Sequence, residues 1–383
     1  MLNRLIVKLK IVFVINDLEF LFSHRIDICT RCVKLGYNVH VIGPYKVELV
    51  SQLKSLSIVF HHVNFSRSGG NPFVEFLSIV SLYKKFKKIN PDIVHLITIK
   101  PYLYGGIVAK LLKIKSLVAS VAGLGIVFSS NSIKYVLLRK VLYPFYKLAF
   151  SHNNQTVIFQ NKEDKKYLLN FGVISSDKCS IIKGSGVDLN LFKNTIEIDN
   201  KPLIVSMASR LLVDKGVQVF VDASKILKQK KINVECWLIG SPDTGNSNSV
   251  SDRQISGWVA QGLIKYLGNR SDISTLFSKS NIIVLPSFYG EGLPKVLIEA
   301  AACGRSVITT DHPGCRDAIE PNISGLLVPV KNCAELAKKI EYLANNKQVR
   351  EGMGKAGRHL AEREFSVETV VDTHIDLYKN LLK

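Results

Sequence analysis

A chain of 383 residues is long enough for two domains of common size, and 47% hydrophobic with 21% charged residues excludes a disordered chain. Seven scattered cysteines, an odd number, argue against a disulfide framework and favour a reducing compartment. The net charge of +20 lies mostly in the first half, because residues 1–195 contain 27 Lys and Arg against 10 Asp and Glu.

The first half alternates short apolar runs with longer amphipathic ones. Its opening run is interrupted by Lys8 and Lys10 and has no small-residue cleavage site after it, which favours a buried first strand over a signal peptide. No run reaches the roughly 18 apolar residues that span a bilayer. The predicted strands are 11–15, 39–42, 58–63, 93–96, 117–121 and 157–159. The predicted helices are 24–35, 73–88, 102–112 and 132–150.

Segment 184–202 has little periodicity and several turn formers, so we expect the domain junction there. A polar loop is expected at 241–252. The strands predicted in the second half are 203–208, 234–239, 264–267, 282–285 and 306–310. The helices predicted there are 216–230, 271–278, 293–302, 333–345, 347–362 and 366–382. This alternation predicts an α/β fold of two doubly wound domains, with the ligand crevice in the cleft between them.

The most informative segment is 286–304, where an apolar strand leads through two glycines and a proline into a helix. Backbone N–H groups at such a helix start can face an anion, and Pro294 suits a first turn. Glu291 in the loop and Glu299 two turns into the helix can point into one crevice, where carboxylates accept hydrogen bonds from vicinal hydroxyls. The alternative is that Glu299 is an exposed helix residue and that the loop only connects the strand to the helix. Ala300–Ala302 argue against it, because they indicate a packed face.

Two further features carry candidate chemistry. Arg210 and Lys215, five residues apart between a strand and a helix, could clamp a diphosphate, although alone they would more often be surface charge. His95 ends the strand 93–96 and could donate to a sugar hydroxyl or a phosphate, or equally be a satisfied core histidine.

Taken together, segments 203–216, 264–273 and 282–330 resemble the retaining nucleotide-sugar glycosyltransferases of family 4, which have the GT-B fold of two Rossmann-like domains. The resemblance rests on Arg210-x4-Lys215-Gly216, YLGNRSDI, LPSFYGEGLPKVLIEAAACGRSVITTD, PGCRDAI and GLLVP. Two glutamates separated by seven residues are that family's hallmark. Residues 15–25, 91–106, 120–125 and 184–192 are similar to the branch that acts in capsule, O-antigen and lipid-linked oligosaccharide assembly.

The resemblance implies an enzyme that takes a hexose or N-acetylhexosamine from a UDP-sugar, needs no metal or other cofactor, and keeps the anomeric configuration without an enzyme nucleophile. It assigns donor binding to 200–365 and acceptor binding to 1–190, with the helix 366–383 packing back on the latter. The implied catalytic residues are Glu291 and His95. The implied donor-binding residues are Arg210 and Lys215 at the phosphates, Glu299 at the ribose, and Gly290, Gly292, Leu293 and Asn269 around them. Arg25, Lys100 and Gly123 are the expected residues on the acceptor or phosphate side.

The first half also departs from the family pattern. Asp17-Leu18-Glu19-Phe20 replaces a glycine-rich loop, Ser120-Val121-Ala122-Gly123 contains no histidine, and Ile97 stands where a second histidine is common. These differences weaken any expectation about acceptor-side chemistry.

Stretches 72–88 and 133–150 combine apolar and aromatic residues at helical spacing with lysines. We expect their apolar faces to cover the sheet and their basic ends to meet an anionic membrane. The predicted partners are a UDP-sugar, a polyprenyl-diphosphate-linked saccharide and an anionic membrane surface, with no nucleic acid. The predicted location is cytoplasmic, peripheral on the inner face of the plasma membrane. Alternatively, the basic surface is only a solvated feature of a lysine-rich proteome.

Three other functions remain open at this stage. An epimerase or phosphorylase could use the same scaffold, but it would need acid–base residues at the C2 atom of the sugar or a cofactor lysine. A nucleic-acid binder would suit a pI of 9.6, but it would leave 286–304 without a purpose. A catalytically inactive partner subunit is disfavoured by the intact set Arg210, Lys215, Glu291 and Glu299.

Overall fold

The computed structural model describes residues 8–65, 72–129, 132–199, 201–243, 245–288 and 290–383. These residues divide into two compact units. Unit 1 comprises the described residues of Met1–Ser185 and Thr369–Lys383, and unit 2 comprises those of Gly186–Glu368.

The described part of unit 1 contains a seven-stranded sheet with the order β3-β2-β1-β4-β5-β6-β7, and every pairing in it is parallel. Its central strands are apolar on both faces, as expected for a parallel sheet covered by helices on both sides. The strands are β1 (Lys10–Val14), β2 (Asn38–Gly43), β3 (Val59–His62), β4 (Ile93–Ile97), β5 (Ser116–Val121), β6 (Gln155–Phe159) and β7 (Cys179–Ile181).

Helices connect these strands, and two of them begin at side-chain caps: Asp17 accepts from the Glu19 amide and Asn161 from the Asp164 amide. The helices are α1 (Leu18–His24), α2 (Ile26–Lys34), α3 (Val47–Ser55), α4 (Pro72–Ile89), α5 (Ile99–Leu111), α6 (Gly125–Ser129), α7 (Ile133–Ala149) and α8 (Lys162–Asn170).

Over its described residues, unit 2 has a six-stranded parallel sheet with the order β10-β9-β8-β11-β12-β13. Its strands are β8 (Leu203–Ala208), β9 (Val234–Ile239), β10 (Lys265–Gly268), β11 (Ile282–Leu285), β12 (Ser306–Thr310) and β13 (Gly325–Val328). Its helices are α9 (Val217–Gln229), α10 (Asp252–Ala260), α11 (Ile273–Lys279), α12 (Lys295–Ala302), α13 (Cys333–Asn345) and α14 (Lys347–Glu364). The last helix, α15 (Val367–Leu382), belongs to unit 1 from Thr369 onward.

The predicted α/β class with two doubly wound parallel sheets is confirmed, and the strands 203–208, 234–239, 282–285 and 306–310 match residue for residue. The helix predicted at 24–35 is wrong in its start, since the chain leaves helical geometry at Arg25 (φ −139°) between α1 and α2. The short strands β7 and β13 and the polar helices α3, α8 and α10 were not predicted.

The expectation that the apolar faces of the two basic stretches cover the sheet is wrong for their outer residues. Phe73, Phe76 and Leu77 on α4 are exposed, and so are Ile133, Leu137 and Phe145 on α7. An amphipathic spacing places apolar residues on one helix face, but α7 presents a second apolar stripe to solvent. Over the described residues, no helix has both the length and the apolar composition needed to cross a bilayer.

Each sheet reverses its strand order beside its first strand. In unit 1, β1 lies between β2 and β4, and in unit 2, β8 lies between β9 and β11. In doubly wound sheets, ligands bind at the carboxyl ends of the strands at such a reversal. The loops after β8 and β11 are therefore the first place to look for a site in unit 2.

Candidate active site

The loops that follow β8 and β11 are joined by backbone contacts. The Phe288 amide donates to the Asp214 carbonyl at 2.9 Å, and the Ser287 hydroxyl oxygen lies 3.2 Å from the same carbonyl. Asn248 holds the Asp214 carboxylate from the polar loop, at 2.8 Å. These contacts fix the position of Lys215, which ends the 3₁₀ turn Val213–Lys215.

Two glycines allow this close approach. Gly216 has φ +82°, and a Cβ there would lie 2.1 Å from the Pro286 carbonyl oxygen. Gly314 has φ +78°, and its Cβ would lie 2.3 Å from the Gly292 carbonyl oxygen. Only glycine suits both conditions, which are a left-handed backbone and another backbone segment at contact distance. The glycine after Lys215 and the glycine of PGCRDAI therefore shape the loop that carries Glu291.

Lys215 and Glu291 form an ion pair at the centre of these loops. Lys215 Nζ donates to Glu291 Oε1, and both side chains are largely buried, at 14% and 10% exposed. Ser287 donates to the same carboxylate oxygen at 2.9 Å. This arrangement places a cation and a carboxylate together at the carboxyl edge of the sheet. The cation can neutralise a phosphate, and the carboxylate can accept hydrogen bonds from hydroxyls.

A cleft of about 260 Å³ lies at the carboxyl ends of β8 and β9. In the sheet, β9 and β11 are on opposite sides of β8, and Glu291 lies in the loop after β11. Arg210, Asn269 and Glu299 line it together with the apolar side chains of Ile239, Ile273 and Val296. Apolar walls with a few convergent polar groups are typical of small-molecule sites. The structure thus brings Arg210, Asn269 and Glu299 together in one cleft, while Lys215 pairs with Glu291.

Glu299 differs from an exposed helix residue. Burial raises the pKa of its carboxyl to about 7, and the ammonium group of Lys295, 3.7 Å away, opposes that rise. The helix begins only at Lys295, because Pro294 has an extended ψ of 119°. The expected first-turn position of Pro294 is therefore wrong, since it is the N-cap residue, and Glu299 lies just over one turn into the helix.

Arg210 follows β8 and remains accessible, with 59% of its side chain exposed. Its guanidinium donates to Asp243 at 3.1 Å. In the loop between β11 and α12, Gly292 and Leu293 are buried and Gly290 is partly buried. Tyr289 lies outside the described residues.

The structure disagrees with the expected place of His95. The strand continues to Ile97, so His95 is the middle residue of β4 and does not lie at its carboxyl end. His95 is fully buried, with Nδ1 2.6 Å from the Tyr378 hydroxyl and Nε2 2.6 Å from the Ser120 hydroxyl. Burial lowers its pKa well below the ordinary value. These are the contacts of a core histidine.

The three residues expected on the acceptor side have different surroundings, all within unit 1. Arg25 is buried, which lowers its pKa to about 10, and its Nε has no hydrogen-bond partner among the described residues. Lys100 forms an ion pair with Glu75, to which Tyr104 also donates. Gly123 has φ +108° in the loop between β5 and α6.

Several residues of the site were not predicted from the sequence. Ser287 orients Glu291, and Asn248 holds Asp214, yet neither residue type is distinctive by itself. Ser287 lies inside the segment 286–304, so its position directly after a strand was a usable signal. Arg270, which lines the cleft, makes two hydrogen bonds to Asp272, at 2.8 and 2.7 Å.

No group of three or more His, Cys, Asp and Glu side chains with a metal-binding arrangement occurs among the described residues. A larger groove of about 740 Å³ lies at the amino ends of β9 and β10, away from the paired loops. Its described lining includes Lys228, Lys231 and Lys265 but neither Glu291 nor Glu299.

Comparison with known proteins places these features in a family. The family described as "Glycosyl transferases group 1" matches residues 190–360, and "Glycosyl transferase 4-like" matches residues 10–161. The chain is 31% identical over 358 residues to the N,N'-diacetylbacillosaminyl-diphospho-undecaprenol alpha-1,3-N-acetylgalactosaminyltransferase of Campylobacter jejuni, covering 90% of this chain and 92% of the relative.

Two further relatives and one solved structure are also glycosyltransferases. The Staphylococcus aureus capsular polysaccharide biosynthesis glycosyltransferase CapM is 29% identical, over 91% of this chain and 92% of its own. The Escherichia coli UDP-Gal:alpha-D-GlcNAc-diphosphoundecaprenol alpha-1,3-galactosyltransferase is 25% identical, over 80% and 79%. The crystal structure of a glycosyltransferase from Rickettsia africae has the same fold, with a TM-score of 0.80, 24% identity and coverage of 98% and 99%.

The predicted resemblance is therefore confirmed by relatives that act in capsule and undecaprenyl-linked oligosaccharide biosynthesis. The chain belongs to the group 1 glycosyltransferases of family 4, and it is a glycosyltransferase with the GT-B fold.

Proposed function

We propose that the protein transfers a hexose or an N-acetylhexosamine from a UDP-sugar to a polyprenyl-diphosphate-linked saccharide. The observation that carries the proposal is the grouping at the carboxyl edge of the second sheet: Arg210 and Glu299 in one cleft, and the Lys215–Glu291 pair between the loops. The names of the Campylobacter and Escherichia relatives support a galactose-type sugar and an undecaprenyl-diphosphate acceptor.

Unit 2 binds the donor in this proposal. The cleft accepts the nucleoside, with apolar walls for the base and Glu299 for the ribose diol. Asn269, at the end of β10, faces the same cleft and lies on the donor side. Arg210 at the cleft and Lys215 at the neighbouring loop bind the diphosphate, one by its planar fork and the other as a point charge.

The chemistry depends on charge at the leaving group. As the bond between the sugar and the diphosphate breaks, Lys215 and Arg210 stabilise the negative charge that develops on the phosphate, a role that metal ions fill in other transferases. Glu291 binds hydroxyls of the donor sugar, and the backbone of Gly290, Gly292 and Leu293 lies beside it. The acceptor hydroxyl attacks from the leaving-group face and passes its proton to the departing diphosphate oxygen, so the anomeric configuration is kept without an enzyme nucleophile.

Lys215 has two partners in this scheme. It is bound to Glu291 in this structure, and the donor diphosphate competes for the same ammonium group. Ser287 keeps its hydrogen bond to Glu291, so the carboxylate remains oriented when Lys215 turns towards the phosphate.

Unit 1 binds the acceptor, with Arg25, Lys100 and Gly123 as the residues on that side. His95 has no part in the proposed chemistry, because both of its nitrogens are engaged within the core. A lipid-linked acceptor lies at a membrane surface, so we infer that the protein works as a peripheral enzyme on the cytoplasmic face of the plasma membrane, next to anionic lipid.

The experiment compares a panel of UDP-sugars, first in binding and then in slow hydrolysis, with the wild type and Glu291→Ala. Glu351→Ala, a surface change on α14, is the matched control. Release of UDP from one donor, lost in Glu291→Ala and kept in the control, would support the proposal and identify the sugar. Absence of binding to every UDP-sugar would overturn it in favour of an inactive partner subunit, and release of a C2-epimerised sugar would favour an epimerase.

A further inference from the structure

The outer face of α7 is apolar although it faces solvent. Ile133 is 88% exposed, Leu137 62%, Val141 57%, Phe145 52% and Leu148 41%. These residues follow one another at intervals of three or four positions, so they form one stripe along the helix. We call these five residues the α7 stripe. Large apolar patches on a soluble domain mark interaction surfaces.

The opposite face of α7 is fully used by the fold. Tyr146 and Ala149 are buried, and Tyr146 contacts the rings of Tyr102, Phe128 and Phe150. The one arginine of the helix, Arg139, is turned inward and donates to the Val127 carbonyl at 2.9 Å. The α7 stripe is therefore not the face by which the helix packs on the core of unit 1, since the opposite face already does so.

A second helix extends the surface. Helix α5 packs against both α4 and α7, so the three helices form one layer. At the start of α4, Phe73 is 68% exposed, Phe76 60% and Leu77 50%. Two helices of the same layer thus expose aromatic and aliphatic side chains.

The charged residues of α7 have one sign, and Glu75 on α4 is paired with Lys100. Lys134, Lys140 and Lys147 flank the α7 stripe and are exposed. The sequence contains no Asp or Glu from residue 93 to residue 162, whereas nine Lys and Arg occur in that range. A second copy of the chain would bring like charges together, which is unfavourable, whereas an anionic bilayer offers both an apolar interior and opposite charge.

We propose that the α7 stripe, together with Phe73, Phe76 and Leu77, inserts into the boundary between headgroups and acyl chains of an anionic membrane, with the flanking lysines at the lipid phosphates. This inference rests on the proposed function only for the purpose of the surface, which is to bring the active site to a lipid-linked acceptor. It also changes the expectation that only the basic helix ends touch the membrane, because apolar insertion resists salt and electrostatic attraction does not.

The test measures co-sedimentation of the full chain with vesicles of equal parts phosphatidylcholine and phosphatidylglycerol, at low and high salt, without donor or acceptor. The variant is Leu137→Ser with Phe145→Ser, and the control is Ile323→Ser with Tyr342→Ser, two exposed apolar residues of unit 2. We expect the wild type and the control to remain bound at high salt. The α7 variant should bind about tenfold more weakly and lose the rest of its binding in salt.

Three results would overturn the proposal. The first is failure of the wild type to sediment with these vesicles, and the second is unchanged sedimentation of the α7 variant. The third is a wild-type dimer in solution that does not bind vesicles and that the α7 variant abolishes. Because all four altered side chains are exposed, we expect every variant to fold, and hydrolysis of the UDP-sugar by the α7 variant should equal that of the wild type. Loss of donor hydrolysis with vesicle binding intact would count against the proposed function and leave the membrane surface standing.

Discussion

The two units have the same parallel α/β plan, but they differ in how they treat charge and apolar surface. Unit 2 engages several of its charges in specific, largely buried pairs, such as Lys215 with Glu291 and Arg350 with Glu197. Unit 1 carries most of the net positive charge and exposes apolar stripes on α4 and α7. The fold leaves these choices open, because the loops and helix surfaces carry the function and the sheets only position them.

The largest expected effect concerns a buried pair of unit 2. Glu197 accepts from Arg350 at 2.7 and 2.8 Å, and both side chains are almost fully buried. Glu197→Ala leaves the arginine buried without its counter-charge, so we expect the free energy of unfolding of unit 2 to fall by about 3–5 kcal/mol. Urea titration followed by tryptophan fluorescence measures this, since Trp237 and Trp258, the two tryptophans of the chain, lie in unit 2.

The control for that change is Glu351→Ala, which removes a partly exposed partner 4.0 Å from Lys347 and should cost less than about 0.5 kcal/mol. Equal unfolding midpoints for the two variants would mean that the buried pair stabilises unit 2 no more than a surface pair does.

The next effect is on catalysis. Lys215→Ala removes the cation that we place at the leaving phosphate, so kcat should fall by about 100- to 1000-fold. Steady-state transfer rates measure it, with Lys230→Ala as a control that removes an exposed ion pair of the same unit. A higher KM with an unchanged kcat would show that Lys215 stabilises the bound donor and the transition state equally, which would contradict a specific role at the leaving phosphate.

A smaller effect on stability and donor binding is expected from replacing Gly216, which allows the loops after β8 and β11 to approach each other. Gly216→Ala forces a side chain onto a left-handed backbone against the Pro286 carbonyl, and should cost about 1–3 kcal/mol of unit 2 stability and weaken UDP-sugar binding. Gly352→Ala is the matched control, since a Cβ there meets nothing within 4 Å inside α14. That variant should be slightly more stable than the wild type. Equal destabilisation by both changes would contradict the close approach of the two loops.

The smallest effect is a pH dependence of donor affinity. With its pKa raised to about 7, Glu299 is mostly protonated below that pH, and only its ionised form accepts two hydrogen bonds from a ribose diol. Affinity for a UDP-sugar should therefore rise up to about tenfold between about pH 6 and pH 8 and level off above, with proton release on binding. The intact UDP-sugar is the proper ligand, because the terminal phosphate of free UDP titrates near pH 6.

Glu299→Gln is the control, and its affinity should not change over this range. The same raised pKa means that the folded protein binds more protons than the unfolded chain between about pH 4.5 and 7, so the free energy of unfolding falls as the pH rises through that window. A pH profile identical in the wild type and Glu299→Gln would remove Glu299 from the ribose site.

Much of unit 2 could be predicted from the sequence because its strands are apolar and bounded by clear turn formers. The edge strand β7 was missed because three residues carry too little periodicity, and α8 was missed because its sequence KEDKKYLLN is mainly polar. The site motifs were recognisable as segments, but the sequence could not show that Lys215 pairs with Glu291 while Arg210 lies in the cleft with Glu299.

The two largest differences in unit 1 have one cause: burial is a property of the packed molecule. His95 became a core residue because β4 runs two residues beyond it and α15 supplies Tyr378 as its partner, from 283 positions away. The α7 stripe stays exposed because the other side of the same helix satisfies the core. Local periodicity identifies apolar stripes, but not which of two stripes finds a partner.

The most direct test of the central claim is a transfer assay with the wild type, the UDP-sugar selected by the donor panel, and a polyprenyl-diphosphate-linked saccharide in anionic vesicles, followed by NMR of the product linkage. We expect a lengthened lipid-linked saccharide whose new bond keeps the α configuration of the donor. A β-linked product would contradict retention. Hydrolysis to free sugar, with the lipid-linked saccharide never lengthened, would contradict the acceptor and with it the proposed function.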